Sequence, residues 1–138
     1  MRFARVVFLL AGLYGLATLL PLYALEGRIA IDSPPAVTHP EFYYGFIGVA
    51  LAWQLLFLLI ARDPARLRPA MLAGVVEKLL YGAATVVLHM QGRLATAGMA
   101  FGIVDLALGA LFALAFVLTR PKALPAAESG AAGWRAAS

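Results

Sequence analysis

Four long runs of apolar residues constrain this chain more than any other feature of its sequence. They cover residues 3–25, 42–61, 71–90 and 96–119. Each run reaches the ~20 residues that an α-helix needs to cross ~30 Å of hydrocarbon. Membrane-spanning strands would need only about 9–11 residues with strict alternation, and none of the runs alternates in this way. The sequence therefore predicts an all-α fold, an integral membrane bundle of four helices.

The composition agrees with a membrane location. Hydrophobic residues make up 63% of the 138 positions and charged residues only 13%, whereas soluble domains average about 25% charged residues. The net charge is +4, but most of the cationic residues fall in the gaps between apolar runs, which is how membrane proteins use them. No nucleic-acid partner is therefore predicted. The chain has no cysteine, which excludes disulfides, thiolate metal ligands and cysteine nucleophiles.

The segments between the apolar runs are rich in turn-forming residues. Residues 26–41 are polar and contain three prolines, which predicts an irregular loop. Residues 62–70 contain two prolines, and residues 91–95 contain Gly92, which is typical of a helix C-terminus. These short connections make the second, third and fourth helices antiparallel neighbours. Residues 121–138 are rich in Pro, Gly, Ala and Ser, which predicts a disordered cytoplasmic tail.

The lysines and arginines predict the orientation of the bundle. When four spans are threaded, eight cationic residues lie on one side and two on the other. The first group is Arg2, Arg5, Arg62, Arg66, Arg68, Arg120, Lys122 and Arg135, and the second is Arg28 and Arg93. Because cytoplasmic loops carry an excess of such residues, we expect both termini on the cytoplasmic side of a bacterial inner membrane. The alternative of a cleaved signal peptide is disfavoured by the length of the first run and by the lack of an A-x-A site.

Two neighbouring charges, Glu77 and Lys78, stand well inside the third run. A charge at the centre of a spanning helix costs about 2.5–3.5 kcal/mol on insertion scales. Both residues belong to one stripe at helical spacing, which is Gly74, Glu77, Lys78, Tyr81, Gly82, Thr85 and His89. We expect this stripe to face other helices, and Val76, Leu80 and Val87 on the other side to face lipid.

The other three runs carry stripes of small residues. These are Ala11, Gly12, Gly15 and Thr18 in the first and Gly45, Gly48 and Ala52 in the second. In the fourth run Gly98, Gly102 and Gly109 share a stripe with Asp105 and Phe112. Small residues at such spacing let helix backbones approach closely. The four stripes together predict a compact bundle.

The candidate ligand-binding residues are Glu77, Lys78, Asp105, Tyr81, Gln54 and Tyr14. A rise of 1.5 Å per residue places most of them roughly 10–15 Å from the cytoplasmic end, and Asp105 near 20 Å. Glu77 and Lys78 point about 100° apart and need not pair. We expect Lys78 to couple with Asp105, directly or through Tyr81, or else to extend toward the cytoplasmic surface. The alternative to a binding role is a buried ion network that fixes helix register.

A second polar group is expected on the opposite side of the membrane. It comprises Asp32, His39, Glu41 and His89, which are residue types that bind metals. Their spacing matches no metal motif, and the sequence contains no phosphate-binding glycine loop and no HExxH. Neither a metal nor a cofactor is therefore predicted.

Several stretches resemble a family of small four-span bacterial inner-membrane proteins, and more loosely the DoxX-like and EXPERA-like four-helix proteins. They are "HPEFYYGFIGVALAWQLLFLLIARDPARLRP", "VVEKLLYG", "GRL" and "FGIVDLALGALFALAF". The resemblance covers about residues 1–120 and implies a four-helix bundle. The DoxX-like likeness implies a link to membrane redox or quinone chemistry. The EXPERA-like likeness implies a sterol- or lipid-binding cavity with intramembrane carboxylates, for which Glu77 and Asp105 are the candidates.

Three functions are compatible with these features. The first is the binding of a lipid-like, sterol-like or quinone-like molecule, with Glu77, Asp105 and Lys78 around its polar group. The second is proton-coupled transport with Glu77 or Asp105 as the proton carrier, which would require a homo-oligomer because one four-span chain has no repeat. The third is a structural or accessory subunit without a ligand. Enzyme activity has the least support, since Glu77 and Tyr81 could move protons but nothing indicates a substrate.

Overall fold

The computed structural model describes residues 1–32 and 34–120, which are almost entirely helical. The helices are α1 (Arg2–Leu19), α2 (Leu22–Asp32), α3 (Pro40–Arg62), α4 (Arg68–Met90) and α5 (Thr96–Leu118). All but α2 are long and apolar enough to cross a membrane. The predicted all-α membrane bundle with four spanning helices is therefore confirmed. The predicted disordered tail, residues 121–138, lies outside the described residues.

The first apolar run differs from its prediction because it does not form one continuous helix. The chain turns at Leu20 and Pro21, and α2 begins directly afterwards. Proline lacks an amide hydrogen and its ring collides with the preceding helical turn, so α1 cannot continue through Pro21. The expected irregular loop at residues 26–41 is wrong in its first part, since α2 extends to Asp32. The three prolines of this segment all follow α2, where they interrupt nothing.

Local sequence explains the other helix ends. Pro40 and Pro69 lie in the first turns of α3 and α4, where the missing amide hydrogen has no helical partner to lose. Gly92 follows α4 with a φ of 71°. That left-handed conformation ends helices and is open to glycine because it has no Cβ.

The spanning helices pack as two pairs. Helix α4 lies along α5 and α1 lies along α3, while α1 and α5 join the pairs and α3 touches α4 much less. The start of α1, the end of α3, the start of α4 and the end of α5 share one core. We call this end of the bundle the basic end, because Arg2, Arg5, Arg62, Arg66 and Arg68 belong to it. The opposite end is the α2 end.

An aromatic cluster of Phe8, Phe57 and Phe112 fills the bundle near the basic end. Phe8 stacks on Phe112 with ring centroids 4.0 Å apart, and Phe57 meets Phe112 edge-on at 4.9 Å. All three rings are fully buried, together with Ile60 and Met71. Lipid is as apolar as these side chains, so close packing rather than removal from water stabilises this cluster.

The small residues of α4 and α5 behave as predicted. A Cβ placed on Gly102 would collide with Thr85, and one on Gly82 would meet Leu106 at 2.5 Å. The two helices therefore approach so closely that only glycine fits at these positions. The expected division of α4 is also confirmed, because Lys78, Gly82 and Thr85 are buried while Val76, Leu80 and Val87 are exposed. Glu77 and Tyr81 are half-buried on the inner side.

The small residues of α3 contradict the prediction. Gly45, Gly48 and Ala52 are exposed, and a Cβ on Gly45 would meet nothing within 4 Å. The inward face of α3 carries instead four larger side chains and two alanines, namely Ile47, Ala50, Gln54, Phe57, Ile60 and Ala61. Small-residue spacing alone did not distinguish these two faces of one helix.

Helix α2 has no buried residue and is tethered to α3 by two tyrosines. The Tyr43 hydroxyl donates to the Leu22 carbonyl at 2.7 Å, and the Tyr44 hydroxyl donates to Glu26 Oε2 at 2.7 Å. An exposed salt bridge of 2.7 Å between Arg28 and Asp32 spans one turn of α2. These contacts hold α2 beside the mouth of the bundle without burying it.

Candidate functional site

The close approach of α4 and α5 brings opposite charges together inside the bundle. Glycine faces the partner helix at Gly82, Gly102 and Gly109, and a Cβ on Gly109 would lie 3.3 Å from the Cβ of Lys78. Lys78 and Asp105 consequently face each other across this close interface. The glycine spacing of α5 thus explains the position of the charges as well as the packing.

Glu77, Lys78 and Asp105 form what we call the charged cluster. Lys78 Nζ donates to Oδ1 and Oδ2 of Asp105, each at 3.1 Å, and to Glu77 Oε1 at 3.4 Å. The side chains are only 7% (Lys78), 13% (Asp105) and 19% (Glu77) exposed. The predicted contact between Lys78 and Asp105 is therefore present, and it is direct. Lys78 does not extend toward the basic surface.

Glu77 and Lys78 contact each other, although their helical directions suggested that they need not. The flexible lysine stem bends so that Nζ lies between the two carboxylates, whatever the direction of the Cα–Cβ bond. Glu77 Oε2 lies 3.2 Å from Nζ, but the geometry is not that of a hydrogen bond. This buried oxygen has no hydrogen-bond partner within the described part of the chain.

The aromatic cluster lies against the charged cluster through Phe57. Lys78 Nζ lies 5.4 Å from the centroid of the Phe57 ring. A desolvated cation over an aromatic face gains on the order of 2 kcal/mol. The ammonium group is thus held by two carboxylates on one side and a ring on the other, which fixes its position.

A cavity of about 300 Å³ lies on the α2 side of the charged cluster. All five helices contribute to its wall, which is mostly apolar. The structure brings every predicted candidate residue to this wall, namely Glu77, Lys78, Asp105, Tyr81, Gln54 and Tyr14. That these residues bind a ligand stays a prediction. We call this space the central cavity.

Gln54 has a more local role than its position suggested. Its Nε2 donates to the Ala50 carbonyl of the same helix at 3.0 Å. A Cβ on Gly15 would collide with its side-chain amide, so the amide lies flat against α1. Gln54 is therefore a packing residue between α1 and α3 whose amide edge reaches the cavity wall.

Sequence reasoning missed the apolar part of the wall. It consists of Ala11, Leu19, Leu22, Phe46, Ala50, Phe101 and Leu108, among others. These residue types are common throughout spanning helices, so nothing in their pattern marks them as lining a cavity. The ring of Phe46 stacks on Tyr81 with centroids 6.1 Å apart, which links α3 to α4 near the cavity.

A second depression lies between α3 and α4, which we call the side groove. It has a volume of about 490 Å³ and is lined by Phe46, Val49, Ala50, Trp53, Ala73, Val76, Glu77, Leu80 and Tyr81. Helices α3 and α4 contact each other much less than α4 and α5 do, although Phe57 lies close to Gly74 near the basic end. Sequence reasoning did not predict the groove, because the short connection between these helices indicated close neighbours.

The polar residues near the α2 end do not assemble. Asp32 pairs with Arg28, His39 Nδ1 lies 3.0 Å from the Thr38 hydroxyl, and His89 Nδ1 lies 2.9 Å from the Leu94 carbonyl. Among residues 1–32 and 34–120, no three His, Asp or Glu side chains are grouped so that they could hold a metal ion.

The comparisons with known proteins identify no relative. No family model matches the sequence, and the searches of curated proteins and of solved structures find no match. The resemblance to DoxX-like and EXPERA-like proteins accordingly stays a prediction from the sequence.

Proposed function

We propose that this protein binds a lipophilic small molecule in the central cavity, with the polar group of that molecule against the charged cluster. The observation that carries the proposal is an apolar cavity of about 300 Å³ with three charged side chains at one end. Ligand sites in proteins have volumes of about 300–1,000 Å³, apolar walls and a few polar groups that fix orientation. The central cavity has this combination of properties.

The hydrogen bonds within the charged cluster indicate which polar group the ligand carries. An ammonium has three donors and no acceptor, and the donors of Lys78 already face three carboxylate oxygens. Each carboxylate has about four lone-pair sites, so Asp105 and Glu77 keep acceptor capacity toward the cavity. We infer that the ligand presents a donor, such as a hydroxyl group. With two carboxylates against one ammonium, an anionic group would be repelled.

The proposal includes the orientation of the bundle. We place the basic end in the cytoplasm of a bacterial cell, so that the central cavity lies toward the outer face of the inner membrane. This is supported by the concentration of arginines at the basic end, including Arg62, Arg66 and Arg68. Reporter fusions at Ser138 and within residues 34–39 should report opposite sides of the membrane. A C-terminus on the outer side would contradict this orientation.

The direct test is to identify what remains bound after purification. The protein is extracted in a mild detergent, and bound lipids and small molecules are measured by native and denaturing mass spectrometry. A specific molecule should accompany the wild type and be lost from the double variant Lys78→Met with Asp105→Asn. Val87→Ala, on the lipid-facing side of α4, is the control and should retain it.

Two outcomes would contradict the proposal. If the wild type and the double variant carry the same lipids in the same amounts, the cavity does not select a ligand. If the double variant is stable and loses nothing, the charged cluster serves helix packing, and an accessory role without a ligand replaces the proposal.

A further inference from the structure

The central cavity and the side groove adjoin each other. Their walls share four residues, which are Phe46, Ala50, Glu77 and Tyr81. The stacked rings of Phe46 and Tyr81 stand at this shared boundary. Phe46 is 48% exposed, so its ring has room to turn away from Tyr81. A molecule could therefore pass from one space to the other without unpacking α4 from α5.

The side groove opens toward the hydrocarbon of the bilayer. Its rim is formed by Val49, Val76 and Leu80, which are all exposed. On α4 it extends from Ala73 to Tyr81, a length of about 12 Å along the helix axis. Glu77 lies midway along this length, about 14 Å from the start of α4. The groove is thus an apolar channel at mid-membrane depth with a carboxylate in its wall.

We propose that the bound molecule is a single-chain amphiphile that enters sideways between α3 and α4, and that its chain lies in the side groove while its polar group occupies the central cavity. The inference rests on the proposed function, because the charged cluster anchors the polar group. The further claim, that the chain lies in the side groove, rests on the continuity of the two spaces at Phe46, Ala50, Glu77 and Tyr81.

The chemistry of the two spaces defines the class of molecule. The groove follows one interhelical gap and suits one hydrocarbon chain. The cavity end presents carboxylate acceptors, which favours an uncharged head with a hydroxyl donor over a carboxylate or phosphate. Because such a molecule is dissolved in the bilayer, sideways access spares it from crossing water.

The chain offers a built-in probe of the groove. Trp53 lines the groove, and the only other tryptophan is Trp134. Trp134→Phe therefore leaves Trp53 as the single tryptophan, which lies at the proposed site of the chain. The variant is placed in phosphatidylcholine nanodiscs, and a dibrominated octadecanol is added, since bromine quenches indole fluorescence on contact. Quenching should saturate at a low mole fraction and be reversed by plain octadecanol, whereas plain octadecanoate should not reverse it.

A matched pair of substitutions distinguishes the groove from ordinary lipid contact. Val76 and Val87 lie on the same helix and are 54% and 50% exposed, but only Val76 lines the groove. Val76→Phe should weaken the saturable quenching about tenfold, because the larger side chain overpacks the groove once a hydrocarbon chain lies in it. Val87→Phe should leave it unchanged, and both variants should keep the thermal stability of the parent.

Quenching that rises in proportion to the bromine content without saturating would overturn the inference, because bulk lipid would then fill the groove. Equal effects of Val76→Phe and Val87→Phe would overturn it as well. If mass spectrometry finds octadecanol retained in a manner that depends on Lys78 and Asp105 while Trp53 is not quenched, the proposed function stands and the groove assignment fails. If quenching saturates equally in Lys78→Met with Asp105→Asn, the groove binds chains without the cavity, which also contradicts the inference.

Discussion

The two halves of the bundle are built from the same helices but differ in how they fill the space between them. Toward the basic end, Phe8, Phe57 and Phe112 close the interior completely. Toward the α2 end, the small residues Ala50 of α3 and Gly15 of α1 face the interior of the bundle, and a cavity of about 300 Å³ remains. The charged cluster lies at the boundary. The difference indicates that the packed half near the basic end holds the charged cluster in place. The central cavity beside it stays accessible.

The largest expected effect on the free energy of unfolding concerns the charged cluster, which lies at the boundary between the two halves. Lys78→Met leaves two buried carboxylates without their cation, and should lower the free energy of unfolding by about 3–5 kcal/mol. Adding Asp105→Asn removes one of these charges, so the double variant should be more stable than the sum of the two single effects predicts. Thermal unfolding in detergent measures all three variants. Strict additivity would mean that the contact between Lys78 and Asp105 contributes no coupling energy.

The next effect tests the packed half. Phe112→Ala should lower the free energy of unfolding by about 3 kcal/mol, because the cavity left behind removes contacts with Phe8 and Phe57. The value is at the low end for such changes since lipid also solvates the unfolded helix. Leu111→Ala, at the neighbouring partly lipid-exposed position, is the control and should change stability much less. Similar losses for both would mean that the aromatic cluster is not a special core.

A direct comparison of the halves uses one substitution at two places. Ala115 is fully buried in the packed half and Ala50 borders the central cavity. Ala115→Leu should cost about 1–3 kcal/mol through overpacking. Ala50→Leu should cost less than about 1 kcal/mol, since the added atoms enter empty space, but it should reduce ligand retention. Equal costs in thermal unfolding would show that the α2 half is as tightly packed as the other.

The smallest expected effects concern the glycines. Gly102→Ala should cost about 1–2 kcal/mol, because its Cβ collides with Thr85 and separates α4 from α5. Gly45→Ala should be neutral or stabilise α3 by about 0.5–1 kcal/mol, since the added Cβ meets nothing and alanine favours helix. Thermal unfolding of the two variants gives the comparison. Destabilisation by Gly45→Ala would indicate that another molecule covers this face of α3.

The sequence predicted the features that depend on helical period. Four spans, the inner stripe of α4 and the contact between Lys78 and Asp105 follow from spacing along single helices and from the depth of each residue in the bilayer. The outward orientation of Gly45 and Gly48 was not predictable, because small-residue spacing on a helix does not show whether that face meets another helix or lipid. The central cavity depends on the sizes of side chains that meet only in the folded bundle.

The break at Pro21 shows another limit of sequence reasoning. Hydropathy remains high across Leu20 and Pro21, so the apolar run continues while the helix does not. The next eleven residues, Leu22–Asp32, form α2, although residues 22–25 were expected in the first span and residues 26–32 in a loop. Its position beside the bundle depends on Tyr43 and Tyr44, which lie far along the chain.

The direct contact between Lys78 and Asp105 also bears on how the chain enters a membrane. These residues lie on consecutive helices joined by the short segment of residues 91–95. Helix α4 alone would carry Glu77 and Lys78 into hydrocarbon at about 2.5–3.5 kcal/mol for each charge. Once α5 follows, Asp105 meets Lys78 within the same hairpin and no distant helix is required. We therefore expect α4 and α5 to insert together as one unit, with the translocation machinery holding α4 until α5 has been synthesised.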